Sequence, residues 1–178
     1  MKDFLRDTLV TFIIAAIVFL GLRTTIQSIV IVSASMEPTL PVGQRLIINR
    51  VIYKFSEPKR GDIIVFPSPK NPQDEFIKRV IGLPGELIEI RQGTVYIHKT
   101  NGTTLALDEP YITDPAHGSF YGEKIPPNEY FGLGDNRNDS GDSRQGWTVA
   151  KQTIIGKAWL SIWPPAKWGL AANYPLPE

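Results

Sequence analysis

Residues 96–107 read Tyr-Ile-His-Lys-Thr-Asn-Gly-Thr-Thr-Leu-Ala-Leu, so that Asn101 and Gly102 lie between two short runs rich in alternating and β-branched residues. An Asn-Gly pair in this setting favours a two-residue type I′ turn, because both central residues of that turn need a positive φ. We therefore predict a β-hairpin whose type I′ turn is Asn101-Gly102.

The rest of the chain repeats this arrangement of short apolar runs and turn residues. Gly 15 and Pro 15 break the 178 residues frequently. The predicted strands are residues 26–32, 45–49, 62–66, 75–81, 87–90, 94–99, 104–107, 130–133 and 153–163. Strands at this density predict a mainly β protein, whose antiparallel sheets form a sandwich or a partly closed barrel. Residues 108–128 are richer in Pro, Gly and charge, which predicts an excursion on the surface.

One segment near the N-terminus has a different pattern. Residues 8–22 contain no charged side chain and are apolar on every face of a helix. A helix from Leu5 to Thr24 is about 30 Å long, which matches the hydrocarbon core of a bilayer if Arg6 and Arg23 reach the two interfaces. The segment therefore predicts one transmembrane helix.

This helix sets the predicted domain organisation. Residues 1–25 form the membrane anchor, and residues 26–178 form a β-rich domain outside the membrane. A buried core helix is one alternative. A secretory signal cleaved at Ser33-Ala34-Ser35 is another, although the β-branched run 26–32 indicates a strand that enters a folded domain.

Composition excludes several classes of function. Lys+Arg 19 against Asp+Glu 18 leaves no basic surplus to neutralise phosphates, so no nucleic-acid partner is predicted. Cys is 0, which removes disulfides, thiol catalysis and iron–sulfur clusters. His98 and His117 have neither metal-ligand spacing nor the surroundings of a catalytic triad. We predict neither a metal nor a cofactor.

Two segments carry candidate chemistry. Ser33 and Ser35 follow an apolar strand, and their spacing places both hydroxyls on the same face of a strand. Lys78 lies within the apolar run 76–81, where an inward orientation would remove it from water and favour the neutral amine. Such an amine can accept a proton from a serine hydroxyl. Arg79 would then face solvent. A Lys78 that reaches water from an edge strand fits the same pattern.

A third segment, residues 132–144, is dense in turn formers and in charges of both signs. Asp and Arg in a tight loop can form ion pairs that fix the backbone. Ser140 or Ser143 can then hold a lysine amine by a hydrogen bond. A solvated polar turn is the alternative.

Four segments, in order behind an apolar N-terminal segment, resemble those of the type I signal peptidases. These are residues 33–40, 60–66, 76–86 and 134–144. That family comprises membrane-bound Ser–Lys peptidases that remove signal peptides from exported preproteins. The resemblance extends from about residue 8 to residue 163, and the compact length is similar to the short bacterial form with a single span.

The resemblance implies roles for individual residues. Ser35, which directly precedes Met36, is the nucleophile, and Lys78 is the general base. Ser33 supplies the side-chain donor of the oxyanion hole, and Ser140 orients the lysine amine. The implied supporting ion-pair residues are Asp135, Arg137, Asp142 and Arg144. The implied residues of the shallow apolar pockets for small substrate side chains are Met36, Leu40, Phe76 and Ile77.

The function that the resemblance implies is cleavage of signal peptides from preproteins, after small residues, by a serine endopeptidase bound to a lipid bilayer. The implied location is a bacterial cytoplasmic membrane or a thylakoid-type membrane, with the catalytic domain on the extracytoplasmic side. Trp163, Trp168 and Leu170 are candidates either for lipid contact or for core packing. Two other interpretations stay open: a Ser–Lys self-cleaving regulator, and a non-catalytic membrane-anchored binding module with structural serines.

Overall fold

The chain begins with one α-helix and continues as short β-strands. The computed structural model describes residues 2–172 and 174–177. Helix α1 spans Lys2–Thr25. The strands are β1 (Ile26–Val30), β2 (Arg45–Asn49), β3 (Ile63–Pro67), β4 (Glu75–Gly82), β5 (Leu87–Arg91), β6 (Thr94–His98), β7 (Thr104–Ala106), β8 (Phe120–Tyr121), β9 (Glu129–Leu133), β10 (Val149–Ala150), β11 (Gly156–Trp163) and β12 (Gly169–Leu170).

Residues 4–21, 23 and 24 of helix α1 are exposed. The stretch Phe4–Thr25 is long and apolar enough to cross a membrane, and none of it is buried within the structure. A core helix would pack against the strands, so that alternative does not apply to these residues. The helix passes directly into β1 at Ile26, where the sequence predicted the anchor to end.

The strands form two antiparallel sheets. The larger sheet has eight strands in the order β1-β2-β11-β3-β4-β9-β10, with β12 paired to β11, and the smaller has four in the order β7-β6-β5-β8. The prediction of a mainly β fold with antiparallel sheets behind one apolar helix is confirmed. Within the described residues each strand order has two free ends, so neither sheet closes into a barrel.

Strand burial follows from position in the sheet. In β2, Leu46 and Ile48 are buried and alternate with partly exposed neighbours, as in a strand with one covered face. Strand β4 has β3 and β9 along its edges and is buried without interruption from Ile77 to Gly82, so both of its faces are covered as well. Along β4, the alternation of side chains between the two faces therefore does not indicate which residues are buried and which are exposed.

The predicted hairpin is present, but its turn type is wrong. Lys99 N–H donates to Thr103 O (2.8 Å), which leaves a three-residue loop, and within that loop only Gly102 has a positive φ (83°). The Asn101 side chain accepts from Thr103 N–H at 3.0 Å, a local bond that a right-handed Asn can make. The type I′ turn instead joins β5 to β6 at Gln92 and Gly93, whose φ values are 50° and 79°.

The segment 108–128 covers the smaller sheet. Within it, β8 is the one strand of the described fold, and Tyr111, Ala116 and Ile125 are buried against that sheet in one apolar cluster. The predicted surface excursion thus also supplies core residues. Its two-residue strand was not predicted, because two residues carry no detectable period.

Candidate active site

Ser35 and Lys78 meet in a buried position. Lys78 Nζ donates to Ser35 Oγ at 2.8 Å and to Ile77 O at 2.9 Å. Only 3% of Lys78 and 8% of Ser35 is exposed. The structure thus joins the two side chains that the sequence singled out as a nucleophile and base, although they are 43 positions apart.

The serines lie in a tight turn and not on a strand. A 3-10 turn spans Ala34–Met36, and Ser33 precedes it in an extended conformation. Ser33 Oγ and Ser35 Oγ are 3.3 Å apart, so the expected proximity holds for a different reason from strand alternation. Asn136 anchors this turn, because its N–H donates to Ser35 O at 3.1 Å and its side chain donates to Ala34 O at 3.2 Å.

Burial makes the Lys78 amine bind a proton less tightly than a lysine in water does. Loss of hydration lowers the pKa of Lys78 to about 8, while the nearby charges of Asp142 and Asp135 act in the opposite direction. Each of these carboxylates is ion-paired, to Arg144 and Arg79 respectively. Their attraction for a protonated lysine is thereby weakened.

The prediction that Arg79 faces solvent is wrong. Arg79 is fully buried and forms a two-pronged ion pair with Asp135, with its Nε 2.9 Å and Nη2 2.6 Å from the carboxylate oxygens. Its Nη1 donates to Gly61 O and to Ala172 O, both at 2.9 Å. Because β4 is covered on both faces, a charge opposite to Lys78 must find internal partners.

Two further ion pairs hold the loop 134–144. Asp142 accepts from Arg144 Nε and Nη2, each at 2.8 Å, and from Gly134 N–H at 3.2 Å. Arg137 pairs with Glu109 through both of its terminal nitrogens and donates its Nε–H to Gly134 O. The sequence did not indicate an ion-pair partner for Arg137. The Glu109 pairing spans 28 positions, and no local signal could have indicated it.

The bond expected from Ser140 to the lysine amine is absent from the described residues. Ser140 Oγ is buried there without a hydrogen-bond partner, while Lys78 uses Ile77 O and Ser35 Oγ. Ser143, the other candidate, accepts from Gly132 N–H at 3.0 Å and so supports the backbone beside Lys78.

Gly134 allows the loop to approach Ser35 closely. A Cβ atom at this position would lie 2.2 Å from Ser140 Oγ and 2.4 Å from Ser35 O. Both distances are far below van der Waals contact, so any larger residue would displace the turn or the loop. The sequence showed a glycine here without showing what lies beside it.

A groove of about 800 Å³ runs from the dyad between β1 and the start of β4. Its lining includes Phe76 and Ile77, two of the predicted pocket residues. Met36 and Leu40, the other two, are not among the residues that line this groove. They are fully buried in the apolar cluster beneath it, because the turn after Ser35 directs them inward.

Neither histidine belongs to this site. His98 lies in the four-stranded sheet, between Glu89 Oε2 (2.8 Å from Nε2) and Thr104 Oγ1 (3.0 Å from Nδ1), whereas Lys78 lies in the other sheet. His117 is exposed beside Asp114. Within residues 2–172 and 174–177, no group of three or more His, Asp or Glu residues is arranged to hold a metal ion.

Comparison with known proteins gives a consistent result. The family described as "Signal peptidase, peptidase S26" matches residues 5–163. "Probable signal peptidase I-2" of Synechocystis sp. is 41% identical over 175 residues, which cover 95% of this chain and 77% of that protein. "Signal peptidase IB" of Staphylococcus aureus is 32% identical over 183 residues, which cover 92% of each. The crystal structure of a signal peptidase I from Enterococcus faecalis V583 is similar with a TM-score of 0.50 and 34% identity, over 57% of this chain and 97% of that chain. The chain belongs to the signal peptidase family, peptidase S26.

Proposed function

We propose that this chain is a membrane-anchored serine endopeptidase that cleaves signal peptides from exported preproteins after small residues, with Ser35 as nucleophile and uncharged Lys78 as general base. Family membership supports the cleavage of signal peptides. One observation carries the residue assignment: Lys78 Nζ lies 2.8 Å from Ser35 Oγ, and both side chains are buried. A buried, hydrogen-bonded pair of this kind is what proton transfer from a hydroxyl to an amine requires.

The lowered pKa makes the base available near neutral pH. A lysine in water has a pKa near 10.4, and about one in 2,500 is uncharged at pH 7. With the pKa of Lys78 at about 8, roughly one molecule in ten holds the free base at that pH. Burial of the amine therefore raises the reactive population by more than two orders of magnitude.

In each half of the proposed reaction, Lys78 first accepts a proton and then donates it. Lys78 Nζ takes the proton of Ser35 Oγ as that oxygen bonds to the scissile carbonyl carbon. The oxyanion accepts hydrogen bonds from Ser33 Oγ–H and Ser35 N–H. The C–N bond then breaks, and protonated Lys78 gives the proton to the leaving amine. A water molecule then gives a proton to Lys78 and attacks the ester carbon, and as the ester C–O bond breaks Lys78 returns that proton to Ser35 Oγ.

The groove offers backbone to an extended substrate. Among the described strands, β1 pairs with β2 alone. Among the same strands, residues 75–78 of β4 pair only with β3, because the pairing of β4 with β9 begins at Arg79. Both strands therefore present unpaired edges toward the groove. A peptide can pair with such an edge as an added strand, and the apolar surface of Phe76 and Ile77 accepts small side chains.

Membrane attachment is part of the proposal. Helix α1 supplies a single span, and the β-rich domain, residues 26–178, lies on the extracytoplasmic side. Trp163, Trp168 and Leu170 are exposed and do not pack in a core; 68% of Trp168 and 77% of Leu170 is accessible. Exposed aromatic and aliphatic side chains of this kind suit the interface of a bilayer.

The test measures preprotein processing by the full-length protein in proteoliposomes. Ser35→Ala and Lys78→Ala should each reduce turnover by about 10⁴-fold or more, because each removes one half of the reacting pair. The control is Lys70→Ala, an exposed lysine that precedes β4, and thermal unfolding verifies that all variants fold. Turnover retained by folded Lys78→Ala would refute the base assignment.

The same preparations separate the alternatives. A serine-reactive acylating probe should label the wild type, and Ser35→Ala should remove the label. A non-catalytic binding module would show no label that depends on Ser35. A self-cleaving regulator would process its own chain and leave an added preprotein intact.

A further inference from the structure

The end of the groove remote from the dyad has a contact that the proposed reaction does not use. Gln27 of β1 and Glu75 of β4 both line the groove, from opposite sides. Gln27 Nε2 donates to Glu75 Oε1 at 3.2 Å and lies 3.5 Å from Oε2. This hydrogen bond joins the two strand edges between which a peptide would lie.

The charge of this groove is strongly one-sided. Its lining carries the carboxylates of Asp74, Glu75 and Asp139, and the one cationic residue in it is Lys78, which is uncharged when it acts as a base. Asp74, Glu75 and Asp139 are exposed, and none of them forms an ion pair within residues 2–172 and 174–177. Glu75 is bonded to a neutral amide, so its negative charge acts on whatever occupies the groove.

The position of Glu75 relative to the reacting atoms follows from strand geometry. Glu75 and Ile77 share one face of β4, and Glu75 precedes Lys78 by three residues, or about 10 Å along the strand. A substrate strand that pairs with this edge in the parallel direction, and presents its scissile carbonyl to Ser35, would place its fourth residue before the cleaved bond opposite Glu75.

We propose that Glu75, positioned by Gln27, is a specificity-determining residue that favours a basic over an acidic side chain at the fourth substrate position before the cleaved bond. The inference rests on the proposed function and names a preference of the same site. A lysine at that position replaces the Gln27 amide as the partner of Glu75 and gains a charge-assisted hydrogen bond. A glutamate there meets a like charge, and the one cationic residue of the groove, Lys78, must be uncharged for the reaction.

The test uses three peptides that differ in this one residue: Lys, Gln or Glu. We expect kcat/KM of the full-length wild type to fall in that order, by about fivefold between Lys and Glu, which is typical of partly exposed pairs. Added salt should narrow the difference, because the groove is open to solvent. In Glu75→Gln the order should disappear, while the Gln peptide is still cleaved.

Glu123→Gln is the matched control, because it removes the same charge from an exposed residue that does not line this groove. It should keep the wild-type order. Equal cleavage of the Lys and Glu peptides by the wild type, or an unchanged order in Glu75→Gln, would overturn the inference. Failure of the wild type to cleave the Gln peptide at all would instead refute the proposed function, so the two failures are distinguishable.

Discussion

Lys78 is costly to the fold and useful to the reaction for the same reason. The amine is buried with a hydroxyl and a carbonyl as partners, so its hydration is only partly replaced. Asp142 and Asp135 oppose the fall in pKa, but their ion pairs with arginines keep them from reversing it. Burial thus destabilises the protonated form of Lys78, and the hydrogen bond to Ser35 Oγ holds the amine beside that hydroxyl.

The pH dependence of cleavage should report this lysine. Because the pKa of Lys78 is about 8, kcat/KM for a signal-peptide substrate should rise about tenfold per pH unit up to about pH 8 and then level off. The measurement is a pH–rate profile of the full-length enzyme between pH 5 and about 9.5. A rate that stays constant from pH 5 to 8 would exclude Lys78 as a base that must lose its proton.

Removal of the Lys78 amine should abolish activity but increase the free energy of unfolding. The folded-state pKa lies below the unfolded value, so the penalty from Lys78 is fully present below about pH 8 and vanishes above about pH 10.5. We expect Lys78→Met to be inactive but more stable at pH 7, by up to about 3 kcal/mol, with the gain shrinking toward pH 10.5. Denaturant unfolding at pH 7 and pH 10 measures it. The exposed-site control Lys70→Met should show no such pH-dependent gain, and a loss of stability in Lys78→Met at pH 7 would contradict the argument.

The limit of prediction from sequence is clear at the neighbouring residues Lys78 and Arg79. An inward lysine in an apolar run was predictable, because its surroundings are local. Strand alternation then assigned Arg79 to solvent, which is wrong because Tyr111 and the segment near Ala172 cover that face as well. Contacts such as Arg79–Asp135 and Arg137–Glu109 depend on how distant segments meet, and charge patterns along the chain do not specify them.

The loop 134–144 matters as a unit because it supports the turn that carries Ser35. Gly134 lies against Ser35 O, Asn136 donates to the same oxygen, and Asp142 holds Gly134 N–H. Loop and turn are therefore mutually fitted, and displacement of one moves the other. An error of about 1 Å in a reacting group can reduce a rate about 100-fold.

Gly134→Ala should reveal this fit. Its Cβ would lie 2.4 Å from the backbone oxygen of Ser35, which has no rotamer to escape to, so the turn must shift. We expect kcat to fall about 100-fold, and the free energy of unfolding to drop by about 1–3 kcal/mol, as for other overpacked sites. Steady-state kinetics and denaturant unfolding measure the two effects.

Gly141→Ala is the matched control for stability, because its Cβ would meet a flexible Gln145 side chain at 3.4 Å. Its unfolding curve should match that of the wild type. If Gly134→Ala is as stable and active as the wild type, the contact between loop and turn is not a constraint on the site.

The longer strands were predictable because five or more residues show a period, and β2 has the predicted bounds. Strands β8, β10 and β12 have two residues each and are defined by their partners alone. The turn after Lys99 shows the same limit: a local Asn101 bond replaced the two-residue turn that the Asn-Gly pair favours.

At the scale of the whole molecule, exposed apolar residues occur both on helix α1 and on the β-rich domain. Trp163, Trp168 and Leu170 lie at or near the end of β11 and in β12. Isolated apolar side chains are normal on a surface, but aromatic residues grouped near one strand end are typical of contact with a membrane or a partner. A domain tethered by α1 would meet the bilayer with such a surface.

Quenching of tryptophan fluorescence by brominated lipids tests this orientation in the full-length protein. The chain has four tryptophans, so single-tryptophan variants can be made by changing the other three to Phe. We expect strong quenching when Trp168 is retained, because its exposed ring would lie at the lipid interface. We expect little when Trp147 is retained, because it packs against Phe66 and Phe76 in an apolar cluster. Equal quenching of the two would mean that the exposed tryptophans do not face the bilayer, and the domain would then be held to the membrane by α1 alone.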